Sequence, residues 1–198
     1  MYNLAILVSG NGTNLQYIID KIDTGDIKAK IEIVISDKSS AYAIERAKKN
    51  GIKTLILDKK NLKNNLSDEI LKNVKNCNLI VLAGFLSILK GEIVELFKNR
   101  IINIHPSLIP SFCGKGMYGI KVHEAAINRG VKVSGCTVHI VDKGTDTGTI
   151  LKQKIVTVNK NDTPESLAEK IHILEHKALE EVINEYISGK IDPEILKR

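Results

Sequence analysis

Short apolar runs rich in β-branched residues recur along the first part of the chain, and each is separated from the next by a stretch with helical periodicity. The runs are Leu4–Val8, Ile31–Ile35, Thr54–Leu57 and Leu79–Leu82, and the helix candidates between them lie at about 14–24, 41–50 and 62–76. Runs without polar alternation are typical of strands that are buried on both faces of a parallel sheet. Strand–helix–strand units at this spacing predict a doubly wound α/β sheet with right-handed crossovers.

The second half of the chain follows a different pattern. After Ile101–Asn103, two strand-like runs, Val133–Val141 and Ile150–Val158, follow each other with no helix predicted between them. Such a pair is hairpin-like, so at least one strand in this half is expected to be antiparallel. Thr163–Pro164 then predicts a capped start for a long amphipathic helix that runs toward Gly189.

These patterns predict one α/β domain over residues 1–198, which is a length that suits a single substantial core. We expect a Rossmann-like, mostly parallel twisted sheet with an antiparallel strand in the C-terminal half and helices on both faces. No repeat, flexible linker or second domain is predicted.

The net charge of +6 raises the question of a nucleic-acid partner. The lysines are scattered, and aromatic residues make up only 4% of the chain, so a basic stacking surface is not predicted. A basic balance also steers small anionic ligands toward a site. We therefore expect small-molecule substrates and no nucleic acid.

The chain is expected to stay away from membranes and from oxidising compartments. No apolar run approaches the roughly 20 residues needed to span a bilayer, and the first residues lack the features of a signal peptide. Cys77, Cys113 and Cys136 are odd in number, widely spaced and without a CxxC pair. This usage predicts reduced thiols in the cytoplasm and no structural zinc.

The segment Asn103-Ile104-His105-Pro106 is the first candidate for chemistry. Asn103 and His105 stand two residues apart, so their side chains share one face of a strand. Pro106 disfavours helix at His105 and gives the strand a defined exit. An amide donor beside an imidazole at a strand's carboxyl end suits acyl-type chemistry, in which a developing oxyanion needs fixed donors. A hydrogen-bonded structural histidine followed by a turn proline would give the same local pattern.

The glycine-rich segment Gly10-Asn11-Gly12-Thr13-Asn14 joins a predicted strand to a predicted helix. Glycines let backbone amides approach an anion, and the amino end of a helix adds positive potential. A dinucleotide fingerprint would have a third glycine where Leu15 stands, and a Walker-type lysine is also missing. A phosphate monoester therefore fits better than a pyrophosphate, while a tight turn without any ligand is the structural alternative.

Asp146 lies in the loop Lys143-Gly144-Thr145-Asp146-Thr147-Gly148. In such a loop an aspartate often forms the turn through its own side-chain hydrogen bonds. The functional alternative places its carboxylate beside His105, where an anion favours the protonated imidazole. A cationic histidine could stabilise a tetrahedral intermediate and deliver a proton to the departing nitrogen.

His172, Glu175 and His176 form the pattern H-x-x-E-H, which occurs in inverted metalloproteases. Two histidines four residues apart on a helix could share a metal. Only 22 residues follow His176, which leaves little chain for a third ligand, and the preceding α/β pattern is wrong for such a protease. We expect a partly buried helix face and no metal, and His123 and His139 are expected to be structural.

Four segments in order resemble the phosphoribosylglycinamide formyltransferases, a family of folate-dependent enzymes in purine biosynthesis. They are Ser9–Leu15, Leu82–Leu86, Asn103–Ser107 and Asp142–Gly148. The resemblance runs from the first strand to the helix near residue 176. It implies transfer of the formyl group of 10-formyltetrahydrofolate, as co-substrate, to the amine of glycinamide ribonucleotide, without a metal. Residues 1–100 would then hold the phosphate and the ribonucleotide, and residues 101–190 would carry catalysis and folate binding.

The resemblance also implies a role for individual residues. The catalytic residues would be Asn103, His105 and Asp146. The ribonucleotide would contact Gly12, Thr13, Asn14, His172 and Glu175. The folate would contact Lys63, Leu86, Ser87, Ile88, Leu89, Asn103, Asp142, Lys143, Gly144, Thr145 and Asp146.

One segment departs from the family pattern. Between Pro110 and His123 the chain is longer and richer in glycine, and Gly114, Gly116 and Gly119 predict a mobile flap beside His105.

Three related functions stay open. A formyltetrahydrofolate hydrolase would use water in place of the amine, and methionyl-tRNA formyltransferases also resemble this chain. Both carry further domains that are not expected here. A non-catalytic nucleotide-binding module would use the glycine-rich segment alone, and the sequence leaves monomer and homodimer open.

Overall fold

The computed structural model describes residues 1–196; Lys197 and Arg198, which close the predicted domain, lie outside the described residues. Seven strands form one sheet in the order β3-β2-β1-β4-β5-β6-β7. The strands are β1 (Tyr2–Val8), β2 (Ala29–Ser36), β3 (Thr54–Ile56), β4 (Leu79–Leu82), β5 (Ile101–His105), β6 (Val133–Ile140) and β7 (Ile150–Thr157). Strands β1 to β5 are parallel, whereas β6 is antiparallel to both of its neighbours. The predicted fold class is therefore confirmed.

The helices are α1 (Thr13–Asp23), α2 (Ala43–Lys49), α3 (Lys59–Leu62), α4 (Leu66–Val74), α5 (Glu92–Leu96), α6 (Ile120–Arg129) and α7 (Pro164–Ile187). The predicted helix at 62–76 begins instead with a 3-10 turn, Lys63–Asn65. Helices α5 and α6 were not predicted, because α5 is too short to show a period and few positions of α6 are buried. Within residues 1–196, no helix combines the length and apolarity that crossing a membrane requires.

The two faces of the sheet carry separate apolar cores. Along β1, Leu4, Ile6 and Val8 pack with residues of α1, α2 and α7, whereas Ala5 and Leu7 pack with residues of α4 and α5. Successive side chains of a strand point to opposite faces, so this alternation requires helices on both sides. The expectation of helices on both faces is confirmed.

The site is positioned by β5 and its antiparallel neighbour β6. The register places Asn103 opposite His139 and His105 opposite Thr137. Because β1, β4 and β5 are parallel, their carboxyl ends meet at one edge, where α/β sheets bind ligands. The loops after these three strands therefore open onto the end of β5 that carries His105.

The hydroxyl of Thr137 fixes the backbone that follows His105. Its oxygen donates to the Ser107 carbonyl at 2.6 Å and accepts from the Ile109 amide at 3.1 Å and from Gln153 Nε2 at 3.1 Å. Thr137 is fully buried. A hydroxyl has one donor and two acceptor positions, so this one is saturated.

We predict that Thr137→Val destabilises the protein by about 2 kcal/mol or more, because it keeps the side-chain shape but leaves buried backbone groups without partners. Thr137→Ser is the matched control, since it keeps the hydroxyl and loses only a methyl group. Urea unfolding of the three proteins measures the difference. A valine variant as stable as the serine variant would show that the hydroxyl does not hold this turn.

Helix α7 packs on α1 through aromatic and polar contacts. It begins with a capping box in which the Thr163 hydroxyl accepts from the Ser166 amide. Further along, the rings of Tyr17 and His176 stack at a centroid distance of 4.5 Å, and Tyr17 donates to Glu180 at 2.5 Å. Burial, together with the neighbouring His172, lowers the pKa of His176 from 6.5 to about 4.

His176 therefore couples folding to pH. Because its folded-state pKa lies below its ordinary value, the neutral ring contributes stability above pH 6.5, and that stability is lost as the pH falls toward 4. His176→Phe keeps an aromatic ring against Tyr17 and cannot be protonated. We predict that this variant loses less stability than the parent between pH 7 and pH 4 in chemical unfolding. Equal losses in both proteins would contradict a buried neutral His176.

Candidate active site

A cavity of about 640 Å³ opens at the carboxyl edge of the sheet. Five segments line it, together with three single residues from β6, its following loop and α7. The segments are 9–14, 82–89, 103–106, 114–119 and 144–146, and the single residues are His139, Val141 and Glu175. Residues from both halves of the chain therefore share one cavity.

Asn103, His105 and Asp146 lie together at this cavity, as predicted. Asp146 places its Oδ2 atom 3.7 Å from His105 Nδ1 and its Oδ1 atom 3.5 Å from His139 Nε2. The backbone amide of Gly114 donates to Asp146 Oδ2 at 2.8 Å. One carboxylate thus stands between two imidazoles and holds the 114–119 segment.

The protonation of His105 follows from its partners. Nε2 lies 2.9 Å from the Phe112 carbonyl oxygen, which only accepts, so Nε2 carries the proton. Within residues 1–196, Nδ1 has no hydrogen bond, and its nearest carboxylate atom is that of Asp146. When the ring is protonated, Nδ1 becomes a second donor that points toward Asp146 and is free to meet a ligand.

Asn103 is oriented by His139. His139 Nδ1 donates to the Ile140 carbonyl oxygen at 2.8 Å, so in the neutral ring Nε2 accepts from Asn103 Nδ2 at 3.1 Å, and only a ring protonated at both nitrogens donates to Asp146 Oδ1. An amide nitrogen has two hydrogens, and this contact uses one of them. The second donor of Asn103 remains for a ligand in the cavity.

Asp146 is held as an anion. Its backbone adopts a φ of 58°, a left-handed conformation that aspartate tolerates better than most residues. Burial raises the pKa of Asp146, but its contacts with His139, the Gly114 amide and His105 outweigh burial, so the pKa lies below its ordinary value. An ionised carboxylate at this point favours a protonated imidazole beside it.

His139 was expected to be structural, but the structure places it at the cavity. His139 is buried, lines the cavity and contacts both Asn103 and Asp146. A polar residue on an otherwise apolar strand was the available signal, but its pairing with Asn103 depends on the register of β6 against β5. His123, by contrast, is buried on α6, and burial lowers the pKa of its ring.

The glycine-rich loop after β1 is shaped by contact with α2. Gly12 has a φ of 76°, and a Cβ atom there would lie 2.5 Å from Ala43 Cβ. The Gly10 carbonyl accepts from the Ala43 amide at 3.1 Å, and Arg46 Nε donates to the Asn11 carbonyl at 2.8 Å. No side chain caps α1 at Gly12, so the first-turn amides, which lack intrahelical acceptors, are available to an anion.

Glu175 brings α7 to the same loop. Its Oε2 atom accepts from Asn14 Nδ2 at 3.1 Å and from His172 Nδ1 at 2.9 Å. Asn14 Oδ1 and His172 Nε2 are buried atoms that have no hydrogen-bond partner within the described part of the chain. Asn14 and Glu175 both line the cavity, so the unsatisfied Asn14 Oδ1 beside the carboxylate suits a hydroxyl group of a sugar.

The segment after β4 forms an apolar wall. Leu86 and Ile88 are 43% and 63% exposed, although both are large and apolar. Ser87 turns inward and donates to Asp37 at 2.5 Å, and Leu89 is buried in the core. Exposed apolar side chains that line a cavity are typical of a ligand surface.

Some predicted residues lie away from the main cavity. Lys63 is not among its lining residues, and Asp142 and Lys143 line a separate depression of about 500 Å³ on the far side of their loop. Lys143 pairs with Glu95 at 2.7 Å. His172 reaches the site only through Glu175.

The H-x-x-E-H pattern does not form a metal cluster in the part of the chain that the structure describes. His172 and His176 meet edge to face at 4.3 Å, and no group of three or more histidine, cysteine, aspartate or glutamate side chains within residues 1–196 could hold a metal ion. That the protein needs no metal stays a prediction.

Known proteins of several organisms are similar to almost the whole chain. It is 38% identical over 193 residues to "Phosphoribosylglycinamide formyltransferase, chloroplastic" of Arabidopsis thaliana, covering 95% of this chain and 66% of that protein. It is also 38% identical to "Trifunctional purine biosynthetic protein adenosine-3" of Bos taurus, covering 95% of this chain and 18% of that protein. The chain thus spans less than two thirds of either relative.

Solved structures agree with this likeness. Glycinamide ribonucleotide transformylase 1 from Symbiobacterium toebii superposes with a TM-score of 0.89 at 37% identity, over 96% of this chain and 89% of that chain. Phosphoribosylglycinamide formyltransferase from Bacillus halodurans gives 0.87 at 34% identity, over 96% and 97%. Residues 2–183 match the formyl transferase family, and this chain therefore belongs to that family.

Proposed function

We propose that this protein transfers the formyl group of 10-formyltetrahydrofolate to the amine of glycinamide ribonucleotide. One observation carries the proposal: Asn103, His105 and Asp146 meet in a cavity that a glycine-rich loop borders on one side and an apolar wall on the other. The loop suits a phosphate monoester, and the wall suits a flat aromatic ring. The reacting groups of two such ligands would meet at His105.

The reaction needs an oxyanion site and a route for one proton. The substrate amine attacks the formyl carbon, and a negative charge develops on the formyl oxygen. The second N–H of Asn103 and protonated Nδ1 of His105 are the donors placed to stabilise it. The bond from the formyl carbon to the folate nitrogen then breaks. The attacking nitrogen loses a proton and the departing folate nitrogen gains one, and His105 or a relayed water transfers that proton. The Asp146 carboxylate, 3.7 Å from Nδ1, is the counter-charge to that imidazolium.

The two substrates would occupy opposite sides of the reacting centre. The ribonucleotide would place its phosphate on Gly12, Thr13 and Asn14 and its sugar hydroxyls near Glu175, with His172 orienting that carboxylate. The folate ring would lie between the apolar wall and the aspartate loop. That position uses Leu86, Ser87, Ile88, Leu89, Gly144, Thr145 and Asp146.

The proposed function also concerns three further residues, the division of the chain into two halves and the cellular location. Lys63, Asp142 and Lys143 lie outside the main cavity, so a role for them would be restricted to the folate's outer tail. Residues 1–100 and 101–190 would divide the ligands unequally, because Glu175 belongs to the second range. A cytoplasmic location is supported by Cys77, Cys113 and Cys136, which are free thiols.

A formyltetrahydrofolate hydrolase is the nearest alternative function. The two reactions differ only in the nucleophile, and Glu175 with its unsatisfied neighbours favours a sugar-bearing amine over water. Incubating the protein with the formyl donor, with and without glycinamide ribonucleotide, distinguishes them. Release of formate without the amine at the same rate as formyl transfer would favour the hydrolase.

We predict that His105→Ala and Asn103→Ala each lower kcat by about 100- to 1000-fold, the loss typical of removing one oxyanion donor. Steady-state rates with both substrates at saturation measure the effect, and circular dichroism checks that the variants fold. Ile155→Ala, at an exposed position of β7 that does not line the cavity, is the control and should retain the parent rate. Parental activity in either site variant would remove that residue from the mechanism.

We also predict that Glu175→Gln raises the KM for the ribonucleotide by about tenfold while the KM for the folate changes little, because the amide presents a donor where sugar hydroxyls need an acceptor. The rate measured against each substrate in turn gives both constants. A matched rise in both KM values would mean that Glu175 supports the whole cavity and does not contact one ligand.

A further inference from the structure

The main cavity is lined by a single lysine or arginine side chain. Among its lining residues, all of which lie in the described range 1–196, the only lysine or arginine is Lys115, whereas Asp146 and Glu175 contribute carboxylates. Arg46 lies beside the glycine-rich loop, but its guanidinium is used by the carbonyl and the side chain of Asn11. A cavity lined in this way is short of positive charge for an anionic ligand.

The phosphate of the proposed ribonucleotide increases the need for positive charge in the cavity. A phosphate monoester carries about −1.5 to −2 charges near neutral pH. The glycine-rich loop offers it only neutral backbone amides, and Glu175 lies close by, 3.1 Å from Asn14 Nδ2. A carboxylate near a phosphate site is repulsive, so a cation is needed to offset it.

Lys115 lies in a hydrogen-bonded turn that lines the cavity. It follows Gly114, whose amide is bound by Asp146, and the Met117 amide donates to the Gly114 carbonyl at 3.1 Å, which closes a turn. Gly116 occupies the third position of that turn with a φ of 87°, the left-handed conformation that a type II turn requires there. Lys115 is therefore presented at the tip of an anchored turn.

Lys115 is also free to bind a ligand. Its side chain is exposed, and it forms no ion pair, hydrogen bond or ring contact with other residues in the 1–196 range. Most cavity-facing polar groups already have protein partners, as Asp146 and Glu175 do. A lysine with three unused donors that lines the same cavity as the glycine-rich loop is available to bind an anion.

We propose that Lys115 binds the phosphate of the ribonucleotide and selects for the phosphorylated form of the amine substrate. The inference rests on the proposed function and adds to it a specificity-determining residue from the glycine-rich segment 114–119. The folate's tail is the competing anion, and binding of Lys115 to that tail would change the KM for the formyl donor.

The test compares Lys115→Gln with the parent on two amine substrates, glycinamide ribonucleotide and its dephosphorylated riboside. With the ribonucleotide, the variant's KM should rise about tenfold or more, the loss expected for one charge-assisted hydrogen bond. The KM for the formyl donor should not change. With the riboside, kcat/KM should be the same in both proteins, because the phosphate that Lys115 binds is missing.

Two further variants make the test specific. Lys115→Arg keeps the charge and should restore most of the ribonucleotide affinity. Lys121→Gln is the matched control: Lys121 follows the same segment, lies 5.0 Å from the Tyr118 ring centroid and does not line the cavity. It should behave as the parent.

Each adverse outcome is informative. Three outcomes for Lys115→Gln would overturn the assignment of Lys115. They are an equal loss of kcat/KM on the ribonucleotide and the riboside, a rise confined to the KM for the folate, and no change in any constant. If the parent transfers no formyl group, the proposed function fails first. Calorimetric titration with inorganic phosphate then tests Lys115 independently, since the parent should bind it more tightly than Lys115→Gln.

Discussion

The buried carboxylate of Asp146 is the contact through which otherwise separate parts of the chain are held together at the cavity. It accepts from the Gly114 amide and faces His105 and His139, which belong to neighbouring antiparallel strands. A buried anion is costly unless it is paired and hydrogen-bonded, so these partners are needed for the carboxylate to stay ionised. The same contacts that stabilise the anion therefore also fix the 114–119 segment against the two imidazoles.

The reversal of β6 is the part of the fold that gives the site its second histidine. The predicted hairpin-like pair placed an antiparallel strand in this half, and the structure confirms it. The Asn103, His105 and Asp146 set was predictable because two of its members are near neighbours and the third lies in a recognisable glycine loop. His139 was not, since its contact with Asn103 depends on cross-strand register, which the local sequence does not encode.

Other differences have similar physical causes. Helix α6 is short and buries only Val122, His123 and Ala126, one of which is polar, so an apolar stripe was not recognised in the sequence. Lys63 and Lys143 were expected near a ligand because of the family resemblance, but neither lines the main cavity. Burial and strand alternation are local properties of sequence, whereas the direction of a loop is set by tertiary contacts. The mobility expected of the segment around Gly114 stays a prediction.

Gly12 illustrates how packing and ligand binding are combined in one residue. Its positive φ suits a loop that presents amides to an anion, but a Cβ atom would also collide with Ala43 on α2. A substitution at Gly12 therefore disturbs the α2 contact together with the anion site, and loss of affinity there would not isolate the ligand's contribution. Polar side chains around the loop are cleaner probes, because Asn14 and Glu175 contact the site without filling the gap between the loop and α2.

The charge pattern of the cavity follows from the chemistry that it must support. A cation placed against the Asp146 carboxylate would compete with His105 for it. Positive charge for the phosphate must therefore come from a residue separated from the reacting centre but fixed relative to it. In the proposed site Lys115 meets both requirements, since Gly114 ties the turn to Asp146 while Lys115 itself is exposed, lines the cavity and has a long side chain. In the proposed function, phosphate binding and the orientation of Asp146 thus depend on one short segment, which is a part of this chain that departs from the family's pattern.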